Sequence, residues 1–214
     1  MLLYYITDRR GFAGSEEERR AALLRRIGEA AEAGVDYIQL REKDLYTREL
    51  ERLANEAVAA VRAHSSSTRL LINSRVDIAL ACGADGVHLP ADSFPVSEVR
   101  AIWMRASDRA PVVGVSAHSA EEVISAAEQG ADFAVLAPIF EKPGTQLPGL
   151  GPRLLESTRD RLSSFPVLAL GGVTLANAAD CLRAGAAGVA GIRLFQEGDL
   201  HETVLALRDL SRQC

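Results

Sequence analysis

The sequence predicts a (β/α)8 barrel, in which eight parallel strands alternate with helices. Two observations predict this fold. Eight short apolar runs alternate with segments whose apolar residues recur at helical spacing. Four of the helical segments end at a glycine and lead into the next apolar run within a few residues, which indicates parallel strands in βαβ units. A doubly wound open sheet is the competing fold, and the count of eight favours closure.

The strands are expected at the apolar runs, because strands buried on both faces are nearly continuous in apolar residues. In chain order these are 2–7, 35–40, 69–73, 86–89, 111–116, 133–137, 166–170 and 187–192. The helices are expected at 16–33, 47–63, 76–82, 96–105, 120–129, 152–162, 175–184 and 200–212. The glycines that mark helix ends are Gly34, Gly83, Gly130 and Gly185. No linker divides the chain, so residues 1–214 are expected to form one barrel domain.

Composition and charge argue against several classes of protein. The chain has 214 residues, is 48% hydrophobic and carries a formal net charge of -5. It has no basic stripe or Lys/Arg-rich run, so no nucleic-acid partner is expected. No apolar run approaches the roughly 20 residues that span a bilayer, so we expect no membrane association and a cytoplasmic location. The three cysteines are widely spaced and lack a CxxC pair, which favours neither a disulfide framework nor a zinc site.

The segment YIQLREKD (37–44) begins as a buried strand and ends in a polar cluster. Active sites of (β/α)8 barrels lie at the carboxyl ends of the strands. Three polar side chains alternate along this segment and therefore share one side of it: Gln39, Arg41 and Lys43. Arginine binds carboxylate or phosphate through two parallel hydrogen bonds, so we expect these residues to bind an anionic substrate. The alternative is a solvated or ion-paired layer in which Arg41 pairs with Glu42 or Asp44.

Glycines end the last two predicted strands. Gly171 and Gly172 follow the seventh strand, whereas Gly191 and Ile192 end the eighth, and a helix follows each pair. Glycine lets backbone N–H groups approach an anion closely, and the loops after strands seven and eight of such barrels commonly hold a phosphate. We therefore expect these four residues to bind a phosphate group. The alternative is that the glycines only permit tight turns.

Three further strand ends carry residues capable of chemistry. His118 follows the fifth strand, where an imidazole that titrates near neutrality can move a proton; the alternative is a helix cap. Asn73 ends the third strand and is expected to contact the substrate through its amide. His88, in the fourth strand, is expected to have a structural role. A hydroxyl at Ser74 rather than a carboxylate gives little support for a bound metal ion, and no cofactor is expected.

Eight phrases, spread in order over nearly the whole chain, resemble those of a known family. They are YYITDR (4–9), YIQLREKD (37–44), LLINSRVDIAL (70–80), ADGVHLP (84–90), VGVSAHSAEEV (113–123), GADFAVLAPIF (130–140), FPVLALGGVTLAN (165–177) and AGAAGVAGIRLF (184–195). The family is the thiamin phosphate synthase and TenI superfamily of thiamin biosynthesis. The resemblance implies a (β/α)8 barrel and a phosphorylated thiazole ligand held by the last two loops.

Departures from the family pattern distinguish its branches. The resemblance implies that synthases hold magnesium with two aspartates, one after strand three and one after strand four. This chain has Ser74 and Ser93 at those positions, with Asp92 beside the second. The Thr-x-Thr-Lys stretch that synthases tend to carry after strand six does not appear in residues 140–151. The loop HLPADSFP instead resembles that of TenI-type thiazole tautomerases, in which the histidine matching His118 transfers a proton.

The main expectation is therefore an aromatising thiazole tautomerase, with His118 as base and acid on a carboxythiazole phosphate. The alternative is a thiamin phosphate synthase, which joins a pyrimidine diphosphate to thiazole phosphate and requires Mg²⁺. The residues that match the diphosphate-binding positions of synthases are Gln39, Arg41, Lys43 and Asn73. A third hypothesis is a non-catalytic regulatory protein that binds a phosphate ligand. The expected partner is a small thiazole phosphate, and a homo-oligomer is compatible with the sequence.

Overall fold

A computed structural model describes residues 1–141, 148–162 and 164–213 and confirms the (β/α)8 barrel. The strands are β1 (Leu2–Ile6), β2 (Tyr37–Leu40), β3 (Arg69–Asn73), β4 (Gly86–Leu89), β5 (Val112–Ala117), β6 (Phe133–Leu136), β7 (Val167–Ala169) and β8 (Gly188–Gly191). All neighbouring strands are parallel, and β8 pairs with β1 to close the barrel. The open doubly wound sheet is therefore excluded.

The helices alternate with the strands around the outside of the barrel. They are α1 (Glu16–Glu32), α2 (Thr47–His64), α3 (Val76–Cys82), α4 (Val96–Ala106), α5 (Ala120–Glu128), α6 (Arg153–Arg161), α7 (Ala178–Arg183), α8 (Arg193–Gln196) and α9 (Leu200–Gln213). None of the helices in the described part of the chain is long and apolar enough to cross a membrane.

The seventh helix differs from its predicted bounds, because it begins at Ala178 rather than at residue 175. The side-chain oxygen of Asn177 accepts a hydrogen bond from the backbone N–H of Thr174 at 2.8 Å, and the Asn177 N–H donates to the Thr174 carbonyl. This closed turn precedes the helix, as asparagine side chains favour. Two short elements also escaped prediction, α8 and a 3₁₀ turn at Arg9–Gly11, because with four and three residues they are too short for apolar residues to recur at helical spacing.

Side chains from alternating strand positions fill the barrel interior. They are Tyr4, Ile6, Leu71, Phe133, Val135, Leu168 and Ala190. The ring of Tyr37 stacks on Phe133 with centroids 4.9 Å apart, and Tyr4 meets the same ring edge to face at 5.3 Å. Offset and edge-to-face contacts are the preferred aromatic geometries. The packed interior leaves the carboxyl ends of the strands as the place where a ligand can enter.

Candidate active site at the carboxyl end of the barrel

A cavity of about 810 Å³ lies at the carboxyl ends of β7 and β8. All four residues predicted to bind phosphate line it: Gly171, Gly172, Gly191 and Ile192. We call these four residues the glycine cup. The loop after β1 and the loop after β6 complete the wall with Asp8 and Glu141. The structure therefore brings together residues that lie far apart in the sequence.

Both interpretations of the cup glycines have structural support. Gly171 and Gly172 have positive φ angles of 95° and 64°. A Cβ atom would lie 2.8 Å from the Cα of Pro138 at the first position and 2.7 Å from the Glu141 carbonyl oxygen at the second. Glycine is thus required by the turn itself. Within the described residues, the backbone N–H groups of Gly171, Gly172 and Ile192 have no protein acceptor, so they are also able to donate to an anion.

Arg193 is a lining residue that the sequence interpretation missed. It follows Ile192 directly, is exposed and lines the same cavity. Its guanidinium adds a positive charge beside the glycine cup, and arginine matches the geometry of phosphate oxygens. The available signal was a basic residue two positions after the glycine that ends the last strand.

A buried arginine organises the charged segment after β2. Arg9 is only 4% exposed, and its guanidinium lies 3.1 Å from Glu42 Oε2 and 2.8 Å from each carboxylate oxygen of Asp44. It also pairs with Glu16 at the start of α1. The interpretation in which Arg41 pairs with Glu42 or Asp44 is therefore wrong. Sequence spacing could not reveal that the partner comes from the β1 loop.

The Arg9 cluster also fixes the backbone of the β2 loop. Hydrogen bonding to Arg9 lowers the pKa of Asp44 to about 2, whereas burial raises the pKa of Glu42 despite its hydrogen bonds to Thr7 and Arg9. The Thr7 hydroxyl donates to Glu42 Oε1 at 2.6 Å and accepts from the backbone N–H of Arg41 at 3.0 Å. Thr7 thereby links the ends of β1 and β2 and fixes the backbone of Arg41, which directly precedes Glu42.

Alternation along the β2 loop separates its basic residues from its acidic ones. Arg41 is half-buried and Lys43 is exposed, and neither side chain has an acidic partner among the residues that the structure describes. We call these two residues the cationic edge. Gln39 lies deeper, since it is 1% exposed and its Nε2 donates to the hydroxyl of Tyr4 at 2.8 Å. The predicted set of three is thus divided between the mouth and the barrel interior.

His118 lies at the mouth immediately after β5, with its ring exposed. Its Nδ1 lies 2.8 Å from the carbonyl oxygen of Ala137, at the end of β6. A carbonyl only accepts hydrogen bonds, so Nδ1 carries a proton, and in the neutral ring Nε2 is the nitrogen with the free lone pair. The backbone N–H of His118 donates to Glu122 Oε2 at 2.6 Å, which anchors the residue to α5. The imidazole is therefore oriented with one nitrogen ready to accept a proton.

The residues after β3 and β4 do not fit the two-aspartate magnesium site that the resemblance implies for synthases. Asn73 is half-buried, and its amide donates to Ser74 Oγ at 3.0 Å. Ser93 supplies a second hydroxyl, and the exposed Asp92 supplies one carboxylate. Protein-bound Mg²⁺ is held mainly through carboxylates and phosphates rather than hydroxyls and amides. The stretch compared after β6 is residues 140–151, of which 142–147 lie outside the described part of the chain.

His88 has the buried position expected for a structural histidine. It is 3% exposed, and its ring nitrogens contact the Tyr4 hydroxyl at 3.1 Å and Ser116 Oγ at 2.9 Å. Burial lowers the pKa of His88 to about 3, with a smaller contribution from the charge of Arg41. The imidazole is therefore neutral near pH 7 and carries one proton.

Comparison with known proteins places the chain among enzymes of thiamin biosynthesis. The family model described as thiamine monophosphate synthase matches residues 3–195. The chain is 41% identical to "Putative thiamine-phosphate synthase 2" of Aquifex aeolicus over 91% of this chain and 97% of that protein. It is 38% identical to the thiamine-phosphate synthase of Methanoculleus marisnigri over 97% of this chain and 93% of that protein.

A solved structure has the same fold over nearly its whole length. The thiamine phosphate pyrophosphorylase of Pyrococcus furiosus superposes with a TM-score of 0.80 and 29% sequence identity, covering 99% of this chain and 96% of that one. A 3-hexulose-6-phosphate synthase, at 21% identity and a TM-score of 0.66, shares the barrel alone.

Proposed function

The chain belongs to the thiamine monophosphate synthase family, and on that premise we propose that it is an aromatising thiazole tautomerase of thiamin biosynthesis. The observation that carries this proposal is the orientation of His118, whose Nδ1 hydrogen-bonds to the Ala137 carbonyl in a residue that is exposed at the mouth, which leaves Nε2 as the nitrogen without a protein partner within the described residues. Ser74 and Ser93 give the proposal further support, because proton transfer needs no metal ion.

The chemistry requires one base that becomes the acid. His118 Nε2 takes a proton from one atom of the carboxythiazole ring system and returns a proton to another, so the histidine ends in its starting state. The aromatic ring formed is the thermodynamic driving force. Positioned acid–base catalysis contributes about 10²- to 10⁴-fold, which suits a reaction that is already favourable.

The two ends of the substrate match the two anion-binding features of the mouth. The phosphate binds the amides of Gly171, Gly172 and Ile192, with Arg193 beside them. The ring carboxylate binds the cationic edge, where Arg41 offers two parallel donors. This arrangement holds the ring between the β2 and β7–β8 sides of the barrel, within the mouth that His118 also borders.

Thiamin phosphate synthase is the second candidate, and the names of the relatives support it better than they support a tautomerase. The relatives from Aquifex and Methanoculleus both carry the synthase name. Arg41, Lys43 and Asn73 also occupy positions that the resemblance assigns to diphosphate binding. The serines at the two metal positions argue against it, since a departing diphosphate needs its charge neutralised.

Two assays on the purified protein distinguish these functions. One contains the carboxythiazole phosphate tautomer, and the other contains thiazole phosphate, pyrimidine diphosphate and Mg²⁺, with products separated by chromatography. We expect aromatisation well above the protein-free rate and no thiamin phosphate at enzymatic rates. Magnesium-dependent thiamin phosphate formation would instead establish the synthase. If neither reaction exceeds its blank, the third hypothesis, a non-catalytic binding protein, replaces both.

A further inference from the structure

A chain of hydrogen bonds crosses the barrel interior and reaches the mouth at one residue. Gln39 Nε2 lies 2.8 Å from the Tyr4 hydroxyl, which lies 3.1 Å from His88 Nδ1, and His88 Nε2 lies 2.9 Å from Ser116 Oγ. The first three side chains are 3% exposed or less. Ser116 is half-buried and is the only member with access to the mouth.

The chemistry of the first donor sets the direction of every bond in the chain. The Gln39 amide nitrogen only donates, so the Tyr4 oxygen accepts from it and directs its own proton to His88 Nδ1. Nδ1 is then the acceptor of the imidazole, and the single ring proton resides on Nε2, from which it is donated to Ser116. The opposite direction would leave the buried Tyr4 proton without an acceptor, which costs about 1–3 kcal/mol.

The protonation states required by this direction are those that burial favours. Burial lowers the pKa of His88 to about 3, so the ring is neutral and has one nitrogen free to accept. Burial also raises the pKa of Tyr4, so the phenol keeps its proton. Both shifts follow from the cost of a charge in the barrel interior.

Ser116 is the last member of this series of hydrogen bonds, and its bond to His88 determines where its hydroxyl proton can point. Its oxygen accepts from His88, and within the described residues its own proton has no protein acceptor. Ser116 is the penultimate residue of β5, and His118 follows the end of the strand two residues later. The hydroxyl proton is thus available at the same strand end as the proposed acid–base group.

We propose that Tyr4 and His88 are positioning residues that commit the Ser116 hydroxyl to donate a hydrogen bond to the bound ligand. The ligand group that it selects is an acceptor without a proton, such as a carboxylate oxygen or ring nitrogen of a thiazole phosphate. A group that only donates is disfavoured at this position, because the hydroxyl oxygen keeps one lone pair after accepting from His88 but the Ser116 proton would then have no acceptor. The choice of ligand rests on the proposed function, whereas the direction of the hydrogen bonds does not.

The direction is tested by ¹⁵N NMR of histidine-labelled protein, with His88 identified by the loss of its signals in His88→Asn. We expect the neutral tautomer with the proton on Nε2. A proton on Nδ1, or an imidazolium ring at pH 7, would overturn the proposal. This measurement uses the unmodified protein and no ligand, so it holds whether or not the chain is a tautomerase.

The effect on the ligand is tested by calorimetry with thiazole phosphate, which both candidate enzymes must bind. We expect Ser116→Ala and Tyr4→Phe each to weaken binding about tenfold, the equivalent of one hydrogen bond. The double variant should be no weaker than either single one, because both substitutions remove the same donor. The matched control is Tyr5→Phe, whose buried hydroxyl bonds to Gln196 outside this chain and should leave affinity unchanged.

Two calorimetric results contradict the proposal. Additive losses in the double variant would mean that Tyr4 and Ser116 act independently, and unchanged affinity in Ser116→Ala would mean that the hydroxyl does not touch the ligand. An absence of thiazole phosphate binding by the unmodified protein would equally overturn the assignment of Ser116 as a donor to this ligand. If the unmodified protein binds thiazole phosphate and His88 has the expected tautomer, but the protein does not aromatise carboxythiazole phosphate, that result would count against the proposed function alone.

Discussion

The two sides of the barrel mouth present positive potential by different physical means. On the β2 side, Arg41 and Lys43 do so with side-chain charge, on a loop held by the buried Arg9 cluster. On the β7–β8 side, the glycine cup does so with backbone N–H groups, in a turn whose positive φ angles and close contacts admit no side chain. The first side therefore depends on an ion pair below it, and the second depends on backbone conformation.

The largest expected effect comes from breaking the support of the cationic edge. Arg9→Met leaves the carboxylate of Glu42 buried without its charged partner, which should lower the free energy of unfolding by about 4 kcal/mol. Denaturant unfolding followed by circular dichroism measures this loss. The control is Arg10→Met, since the Arg10 side chain is 65% exposed and the change should stay within about 0.5 kcal/mol. Equal losses for the two variants would contradict the structural role of Arg9.

The glycine cup should respond to a single added methyl group. Gly172→Ala places a Cβ 2.7 Å from the Glu141 carbonyl oxygen at a φ of 64°, so we expect a loss of about 3 kcal/mol in unfolding free energy. The matched control is Gly34→Ala, where φ is 84° and no atom lies within 4 Å of the added carbon. That change should cost about 1 kcal/mol from backbone strain alone. If both variants lose the same stability, the close approach in the cup contributes nothing.

The barrel interior below the two sides should make stability depend on pH. The folded pKa of His88, about 3, lies below its value of about 6.5 in an unfolded chain, so the unfolded state binds more protons between these values. Its contribution is fully present above about pH 6.5 and is lost as pH falls, by about 2 kcal/mol between pH 7 and pH 5. Chemical denaturation at both pH values should show this loss, and His88→Asn should lack it. The same slope in His88→Asn would assign the dependence to other groups.

The smallest expected effect is a change in affinity that distinguishes the carboxylate, bound on the β2 side, from the phosphate, bound on the β7–β8 side. Arg41→Gln should weaken binding of carboxythiazole phosphate about tenfold, because a hydrogen bond to a charged group contributes about 1.5 kcal/mol. Affinity for thiazole phosphate, which lacks the carboxylate, should stay unchanged, as should the melting temperature. The exposed Lys43→Gln provides the comparison and should change affinity by about threefold or less. Equal losses for both ligands would move the phosphate from the glycine cup to the cationic edge.

The fold was predictable because its signals are local. Buried parallel strands, helical periodicity and glycine after helix ends identify all eight barrel strands and, of the nine helices in the described ranges, all but α8 within a few residues. The errors lie where short polar contacts define a boundary. The turn closed by Thr174 and Asn177 delayed the start of α7, and α8 was too short for a periodic pattern to reveal it.

The site was predictable only in part, because its polar groups are divided by contacts between distant residues. Strand ends identified Arg41, His118 and the cup glycines as mouth residues. The alternation of side chains along the β2 loop could not show that Glu42 and Asp44 form ion pairs with Arg9, which lies more than thirty positions earlier in the chain. Nor could it show that Gln39 faces the Tyr4 hydroxyl inside the barrel, because that contact depends on the closure of β1 onto β2.

The most direct test of the account is the rate of carboxythiazole phosphate aromatisation by His118→Asn. We expect a fall of about 10²- to 10⁴-fold in kcat, with binding of thiazole phosphate and the unfolding free energy both retained. His201→Asn, which changes an exposed histidine on α9, should react at the unmodified rate. A His118→Asn variant that aromatises the substrate as fast as the unmodified protein would contradict the assignment of proton transfer to this histidine.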